Sequence, residues 1–195
     1  LTAPRSACFR PWPGAAWSIA ACRRDDVKVF AAVTKFSPRN PLQENYLKER
    51  LIDSGADFIS LGHQFSGMLN FPRRVNTAYY NAAVWRTYNV FADAIEASVQ
   101  EFCHHLPHIH ILKADGGTMP FALSRETPVE SILSGPAASV MGIIALCDIA
   151  ADCVILDIGG TTTDIAVFAD GAPLVEEGIE VGSHPTLVRA LNTIS

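Results

Sequence analysis

No apolar run in this chain reaches the ~18 residues of a membrane-spanning helix, so no such helix and no membrane partner is expected. There is no basic stripe either. The densest basic pairs are Arg23-Arg24 and Arg73-Arg74, and 15 Lys and Arg face 20 Asp and Glu for a net charge of −5. That balance argues against a nucleic-acid partner. The five cysteines (Cys8, Cys22, Cys103, Cys147, Cys153) are odd in number and form no C-x-x-C pair, which speaks against a disulfide framework or zinc ribbon. Cys147 and Cys153 sit among Ile, Leu and Ala and read as small buried hydrophobes, in keeping with a reduced, cytoplasmic setting. Two common phosphate loops are also missing. No lysine follows a G-x-x-x-x-G spacing, and no G-x-G-x-x-G opens a helix.

What is present is a globular composition. Hydrophobic residues make up 49% and charged residues 18% of 195 positions, enough for one large domain and without a signature of disorder. Residues 1–26 differ in texture, being rich in Pro, Trp and Arg without a period, and poorly match the order of a secretory signal. They read as a ragged or non-native beginning, with the domain proper over 27–195. Val27 to Val33 and Asp57 to Leu61 read as strands around a helix from Pro41 to Ser54. A long helix is expected from about Val75 to Cys103, and Ile109 to Leu112 reads as a strand entering an Asp115-Gly116-Gly117-Thr118 turn. Pro128 could open a helix, Ser134-Gly135-Pro136 caps another running to about Ala150, and strands follow at 153–158, 164–168 and 174–177. The alternation indicates an α/β fold.

The chemistry concentrates in Asp157-Ile158-Gly159-Gly160-Thr161-Thr162-Thr163-Asp164. Gly159 and Gly160 carry no side chain to block a phosphate, and consecutive turn amides form an anion-binding concavity. Thr161, Thr162 and Thr163 add hydroxyl donors. Asp157 and Asp164 would repel a bare phosphate, so their presence calls for Mg²⁺ held largely through water. An ordinary glycine hairpin is the alternative, and three threonines with a second acid between apolar strands weigh against it.

This octet resembles the second phosphate hairpin of the actin, sugar-kinase and heat-shock ATPase superfamily. Within it, residues 37–195 resemble the ATP-binding A-type subunit or domain of the hydantoinase/oxoprolinase family. Asn40-Pro41 with Glu44, then Gly62-His63 and Ser66-Gly67, are similar to an early segment of that family. Arg74, Thr77, Asn81 and Ala82 match its R-x-x-T-x-x-x-N-A helix start. Asp115-Gly116-Gly117 resembles an (N/D)-G-G turn, and Pro128 with Ser134-Gly135-Pro136-Ala137 resembles a P…S-G-P-A segment. The resemblance implies part of an actin-like (ribonuclease H-like) ATPase fold, a mixed sheet with flanking helices. It implies ATP and Mg²⁺ as cofactors, and ATP-dependent opening of a small cyclic amide such as 5-oxoproline or a hydantoin. A B-type subunit or domain would be the partner, in an oligomeric complex. Related members carboxylate ketones, and a non-catalytic nucleotide-binding module is a further alternative. The superfamily builds its site from two hairpins and a later glycine-rich segment. Only one D-x-G-G hairpin is present here, so the chain is expected to be an internal fragment, incomplete at both ends and unable to complete a catalytic cycle alone.

Other candidates keep two readings each. Gly135 stands near a helix start that either faces phosphates or is a plain cap. Asp115, Gly116 and Gly117 form either a ligand-facing loop or a simple turn. His63 either faces substrate or is structural, and Arg74 either binds an acidic substrate or caps a helix. His104, His105, His108 and His110 offer imidazoles for a metal, but Pro107 breaks helical alignment and a solvated loop is the default.

Overall fold

A single helix of 32 residues, α3 (Phe71–Phe102), runs roughly 48 Å and organises the rest of the molecule. It was traced in a computed structural model that describes residues 13–65, 68–103 and 107–194, with side chains from 19 onward. Ser66, Gly67, His104 and His105 lie outside the described residues. The helix starts four residues before the expected Val75 because Pro72 falls in its first turn, where a missing N–H costs nothing. Asn70 caps it, its side chain accepting from the Arg73 amide.

One side of α3 carries a lobe made of α1 (Pro13–Arg24), β1 (Val29–Ala32), α2 (Leu42–Asp53) and β2 (Phe58–Leu61). The helix α1 has no counterpart in the sequence reading, and Ile19 from it packs against Ala32, Leu51, Ile59 and Leu61. β1 and β2 pair in parallel, and Phe58 stacks on Trp85 of α3 at 4.8 Å between centroids. A 3-10 turn (Gly62–Gln64) follows.

The chain continues through β3 (His110–Leu112), β4 (Thr118–Pro120), α4 (Phe121–Glu126), a second 3-10 turn (Pro128–Ser131) and α5 (Ser134–Leu146). The residues of the R-x-x-T-x-x-x-N-A pattern turn out to be fastenings within the core. Thr77 Oγ1 accepts from the Leu187 amide, and Asn81 takes the Val129 amide on Oδ1 while donating to the Glu126 carbonyl. All four pattern residues are buried.

β5 (Cys153–Ile158) and β6 (Thr163–Ala169) form the expected hairpin, joined to β7 (Ala172–Pro173) through Asp170 (φ 50°) and Gly171 (φ 76°). Those dihedrals are the two-residue turn that the Asp-Gly pair predicts. Beyond it the expectation changes. The strand expected at 174–177 leaves this sheet: β8 (Val175–Glu177) pairs with β11 (Arg189–Leu191), while β9 (Glu180–Val181) and β10 (His184–Pro185) make a small hairpin between them. β12 (Thr193–Ile194) then returns to β6. Two cores result, one around Val129, Ile179, Val188 and Ala190, the other joining Ala137 and Val140 of α5 to Ala166, Phe168 and Leu191. α5 ends at Leu146 rather than Ala150, and Cys147 just beyond it is exposed, not buried as its neighbours suggested.

Candidate functional site

The register of β5 on β6 sets Asp157 directly opposite Asp164 and Ile158 opposite Thr163. Cross-strand partners share a face of the sheet. On this face Cys153, Ile155, Ala166 and Phe168 pack toward α5, so the apolar stripe ends in the two acids. Their opposite placement is a local cost, since like charges at directly opposed positions destabilise a sheet. Asp157 is held by α5, with Ser139 Oγ donating to Oδ2 at 2.5 Å. Asp164 Oδ1 is buried and has no hydrogen-bond partner among the described residues. Nor does either acid join an ion pair among them.

Gly159, Gly160, Thr161 and Thr162 close the loop, with the Gly159 amide donating to the Thr162 carbonyl at 2.9 Å. A Cβ on Gly159 would come within 3.2 Å of that carbonyl, whereas Gly160 opens on free space. The tip from Gly159 to Thr163 is exposed, so its hydroxyls and the Gly160 face are open to a ligand. A buried carboxylate oxygen without a partner beside a second carboxylate fits a hard cation with oxygen ligands and retained water, which is Mg²⁺ chemistry. No cluster of three or more His, Cys, Asp or Glu that could hold a metal occurs among the described residues, the His108–His110 segment included.

Helix α5 ties the other candidates to this hairpin. Its cap, Leu133, has φ 65° and supplies no side-chain hydrogen bond, in place of the expected Ser134 or Gly135 cap. Gly135 is exposed and lies one turn before Ser139. The Asp115-Gly116-Gly117 turn joins β3 to β4, and Gly116 (φ 80°) sits against Met141 of α5 and Leu191 of β11, where a Cβ would come within 2.8 Å of the Met141 sulfur. Asp115 accepts from the Gly117 amide at 3.0 Å and pairs with Lys113 at 3.1 Å. Burial pushes its carboxyl up, but the Gly117 amide and Lys113 together outweigh burial and hold it below its ordinary range. Lys113 also reaches Glu130 at 3.5 Å, whose carboxyl is raised, chiefly by burial.

His63 and Arg74 belong to the β1–β2–α3 lobe instead. His63 Nδ1 and its backbone amide both meet Glu44 Oε2, at 2.7 and 2.9 Å, while the Thr34 amide donates to Oε1 at 2.7 Å. Glu44 is fully buried, so its carboxylate ties α2 to the loop after β1 and to the 3-10 turn. Arg74, also fully buried, donates to the Thr34 and Lys35 carbonyls and to Ser37 Oγ, and its pKa is lowered by desolvation despite nearby Glu44. Ser139 and Glu44 are the residues that sequence reasoning passed over as site elements. Glu44 was visible only as part of a pattern, and a mid-helix serine gave no signal.

Residues 74–195 match the hydantoinase/oxoprolinase family. That stretch is more than half of the chain. The chain belongs to the hydantoinase/oxoprolinase family.

Among the relatives of this hydantoinase/oxoprolinase chain is 5-oxoprolinase of Saccharomyces cerevisiae, 28% identical over 148 residues that make up 74% of this chain and 11% of the yeast protein. Caprolactamase subunit alpha of Pseudomonas jessenii is 28% identical over 152 residues, 76% of this chain and 22% of that subunit. The chain therefore spans under a quarter of the length of these curated relatives. By structure, it superposes on nucleotide-free acetone carboxylase with a TM-score of 0.78 at 18% identity, covering 92% of this chain and 26% of the other. The ATP-dependent caprolactamase of P. jessenii gives 0.76 at 22% identity with the same coverage. These likenesses establish that the chain shares the α/β fold of the matched portion of both enzymes. No helix among the described residues is long and apolar enough to cross a membrane.

Proposed function

We propose that this chain is the phosphate-binding portion of an A-type hydantoinase/oxoprolinase protein, and that the assembled enzyme opens a small cyclic amide of the hydantoin or 5-oxoproline type with ATP. The observation that carries the reading is the pair Asp157 and Asp164, opposed across a hairpin whose exposed tip is Gly159 to Thr163. ATP would supply a phosphoryl group to the amide oxygen, making the amide carbon electrophilic enough for water to add and the C–N bond to break, with Mg²⁺ offsetting phosphate charge.

In this reading Asp157 and Asp164 hold the cation through their oxygens, and Ser139 fixes the orientation of Asp157. Gly160 lets phosphate approach the backbone, and the hydroxyls of Thr161, Thr162 and Thr163 donate to its oxygens. Gly135, at the start of α5, brings the positive end of a helix dipole to the same neighbourhood. His63, Arg74, Asp115, Gly116 and Gly117 then serve to shape the surrounding lobes. A B-type subunit would complete hydrolysis in an oligomeric, cytoplasmic complex. The relation to a caprolactamase subunit alpha supports a partner chain. A second reading, the nucleotide-binding subunit of a ketone carboxylase, is favoured by the superposition on acetone carboxylase.

The test is twofold. Titration of the chain with MgATP, followed by amide NMR, should shift residues 157–164, and Asp157→Asn should remove those shifts. In the assembled enzyme Asp157→Asn should abolish ATP turnover while circular dichroism stays unchanged; undiminished turnover would sink the assignment.

A further inference from the structure

β1 and β2 run parallel, with Ala32 beside Leu61, so their carboxyl ends open on the same side of the lobe. Ligands of open α/β sheets bind at such ends. A cleft of about 300 Å³, lined by Thr34, Lys35, Phe36 and Asn40 among others, lies there. The loop after β1 and the 3-10 turn after β2 meet on one carboxylate. Glu44 Oε1 accepts from the Thr34 amide, while Oε2 accepts from the His63 amide and faces His63 Nδ1 at 2.7 Å. Glycine at 62 permits this approach, since a Cβ there would come within 2.6 Å of Val33 and 3.1 Å of Glu44 Oε1. An ionised carboxylate only accepts, so the proton of the neutral ring sits on Nδ1 and leaves the Nε2 lone pair bare. Nε2 has no hydrogen-bond partner among the described residues, yet it is not one of their buried unpartnered atoms. The His63 side chain keeps 22% of its surface while Glu44 keeps none, so Nε2 opens to solvent from a buried support.

We propose that His63, besides shaping its lobe, is a catalytic base: Nε2 takes the proton next to the carbonyl that ATP phosphorylates, and Glu44 is its positioning residue. This assignment rests on the ATP-dependent reading above and names the proton acceptor which that reading requires. When a carbonyl oxygen attacks the γ-phosphorus, an O–P bond forms and the P–O bond to ADP breaks. A neutral carbon skeleton results only if the atom beside the carbonyl loses a proton, the N–H of a cyclic amide or the α C–H of a ketone. The electron pair left behind becomes a C=N or C=C bond, and the carbonyl π pair becomes the new bond to phosphorus. The proton passes to Nε2. Cyclic amide and ketone thus need a base at the same place. The imidazolium that forms lies against Glu44, whose buried charge stabilises it and holds the ring in one orientation. The charged groups around the ring are Glu44 from α2 and, beyond it, Arg74 from α3 and Lys35 from the loop after β1. Phe65, two residues on, packs against the core of Val129, Val188 and Ala190, and the adjoining Leu191 packs against Ala166 and Phe168 of the hairpin. Base and phosphate hairpin therefore sit on one packed body.

The test has two arms. In the isolated chain, nitrogen NMR of the imidazole above neutral pH should show a protonated Nδ1 and a bare Nε2; the opposite tautomer overturns the proposal whatever the nucleotide site does. In the assembled enzyme, ADP release is followed with ε-caprolactam, hydantoin, 5-oxoproline and acetone as probes. His63→Asn sets an amide N–H where Nδ1 was, so it keeps the bond to Glu44 and removes only Nε2. It should melt with the wild type, leave the MgATP shifts at 157–164 unchanged, and lower kcat at least about 100-fold for the probe that the wild type turns over best. Added imidazole should restore part of that rate. The wild-type rate should fall toward acid pH as Nε2 is protonated. Glu44→Gln keeps an acceptor but not the charge, so it should lower kcat less and move that acid limb to lower pH, a shift that a purely structural clamp does not produce. Undiminished turnover by a folded His63→Asn, or an acid limb that Glu44→Gln leaves in place, overturns the proposal and leaves the ATP reading standing. Absence of probe-dependent turnover in the wild type overturns that reading and this assignment with it.

Discussion

Ser139 donates to Asp157 at 2.5 Å, so the acid at the end of β5 is held by the helix beneath its own sheet. Its cross-strand neighbour Asp164 has a buried oxygen with no such partner among the described residues. The two carboxylates are thus unequal. One is fixed, and the other is available to a ligand that the strands themselves do not provide.

Ser139→Ala should release Asp157. Hydrogen bonds to ionised groups are worth about 1.5–3 kcal/mol, and a loss toward the lower end is expected for this half-buried pair. Urea denaturation reads the stability change, and the MgATP titration should show weaker binding in the same variant. Unaltered affinity would remove Ser139 from the site.

Asp164→Asn separates structure from ligand. It removes one of two opposed like charges, so the variant should match or exceed the wild type by about 0.2–1 kcal/mol without added cation. Thermal melting in millimolar MgCl₂ should then raise the wild-type midpoint and leave the variant where it was. An equal rise in both chains counts against a cation at Asp164.

Glu44→Ala should be among the costliest single changes. It leaves the Thr34 and His63 amides and the half-buried His63 ring nitrogen without their acceptor, and each shielded donor left unsatisfied costs about 1–3 kcal/mol. Glu44→Gln keeps an acceptor and should lose less. If both variants melt with the wild type, the clamp is not structural.

The cluster of Lys113, Asp115 and Glu130 sets two opposite pH dependences. Asp115 is depressed below its usual 3.8, so its contribution is fully present above that pH and is lost as pH falls through the lower folded-state value. Glu130 is raised above its usual 4.5, so folding is favoured while it is protonated and loses that advantage as pH rises through the higher folded-state value. Asp115→Asn should therefore destabilise near neutral pH and matter much less once pH has fallen through the lowered folded-state value. Glu130→Gln should cost less than Asp115→Asn near neutral pH. Urea midpoints across an acid-to-neutral series check both signs.

The hairpin was legible because its signals are local. Glycines at 159 and 160, the Asp170-Gly171 turn and alternating apolar residues in β5 and β6 specify strand, loop and register within some twenty positions. The long helix was legible for the same reason, except for its first turn, where Pro72 is permitted rather than prohibited. Strand partners farther apart were not. Residues 174–177 look like the next strand of a meander, yet they pair with 189–191, because the burial of Ile179, Val188 and Ala190 against Val129 favours a separate ribbon.

By itself, then, the sequence determined the family pattern, the phosphate-type hairpin and the α/β alternation, all written in short-range spacing. Only the tertiary structure decided that Arg74 and His63 are tied into a lobe by Ser37 and Glu44, and that Ser139 reaches Asp157. Those relations join residues 18 to 37 positions apart or more, and their burial and geometry come from packing, which residue order alone does not specify.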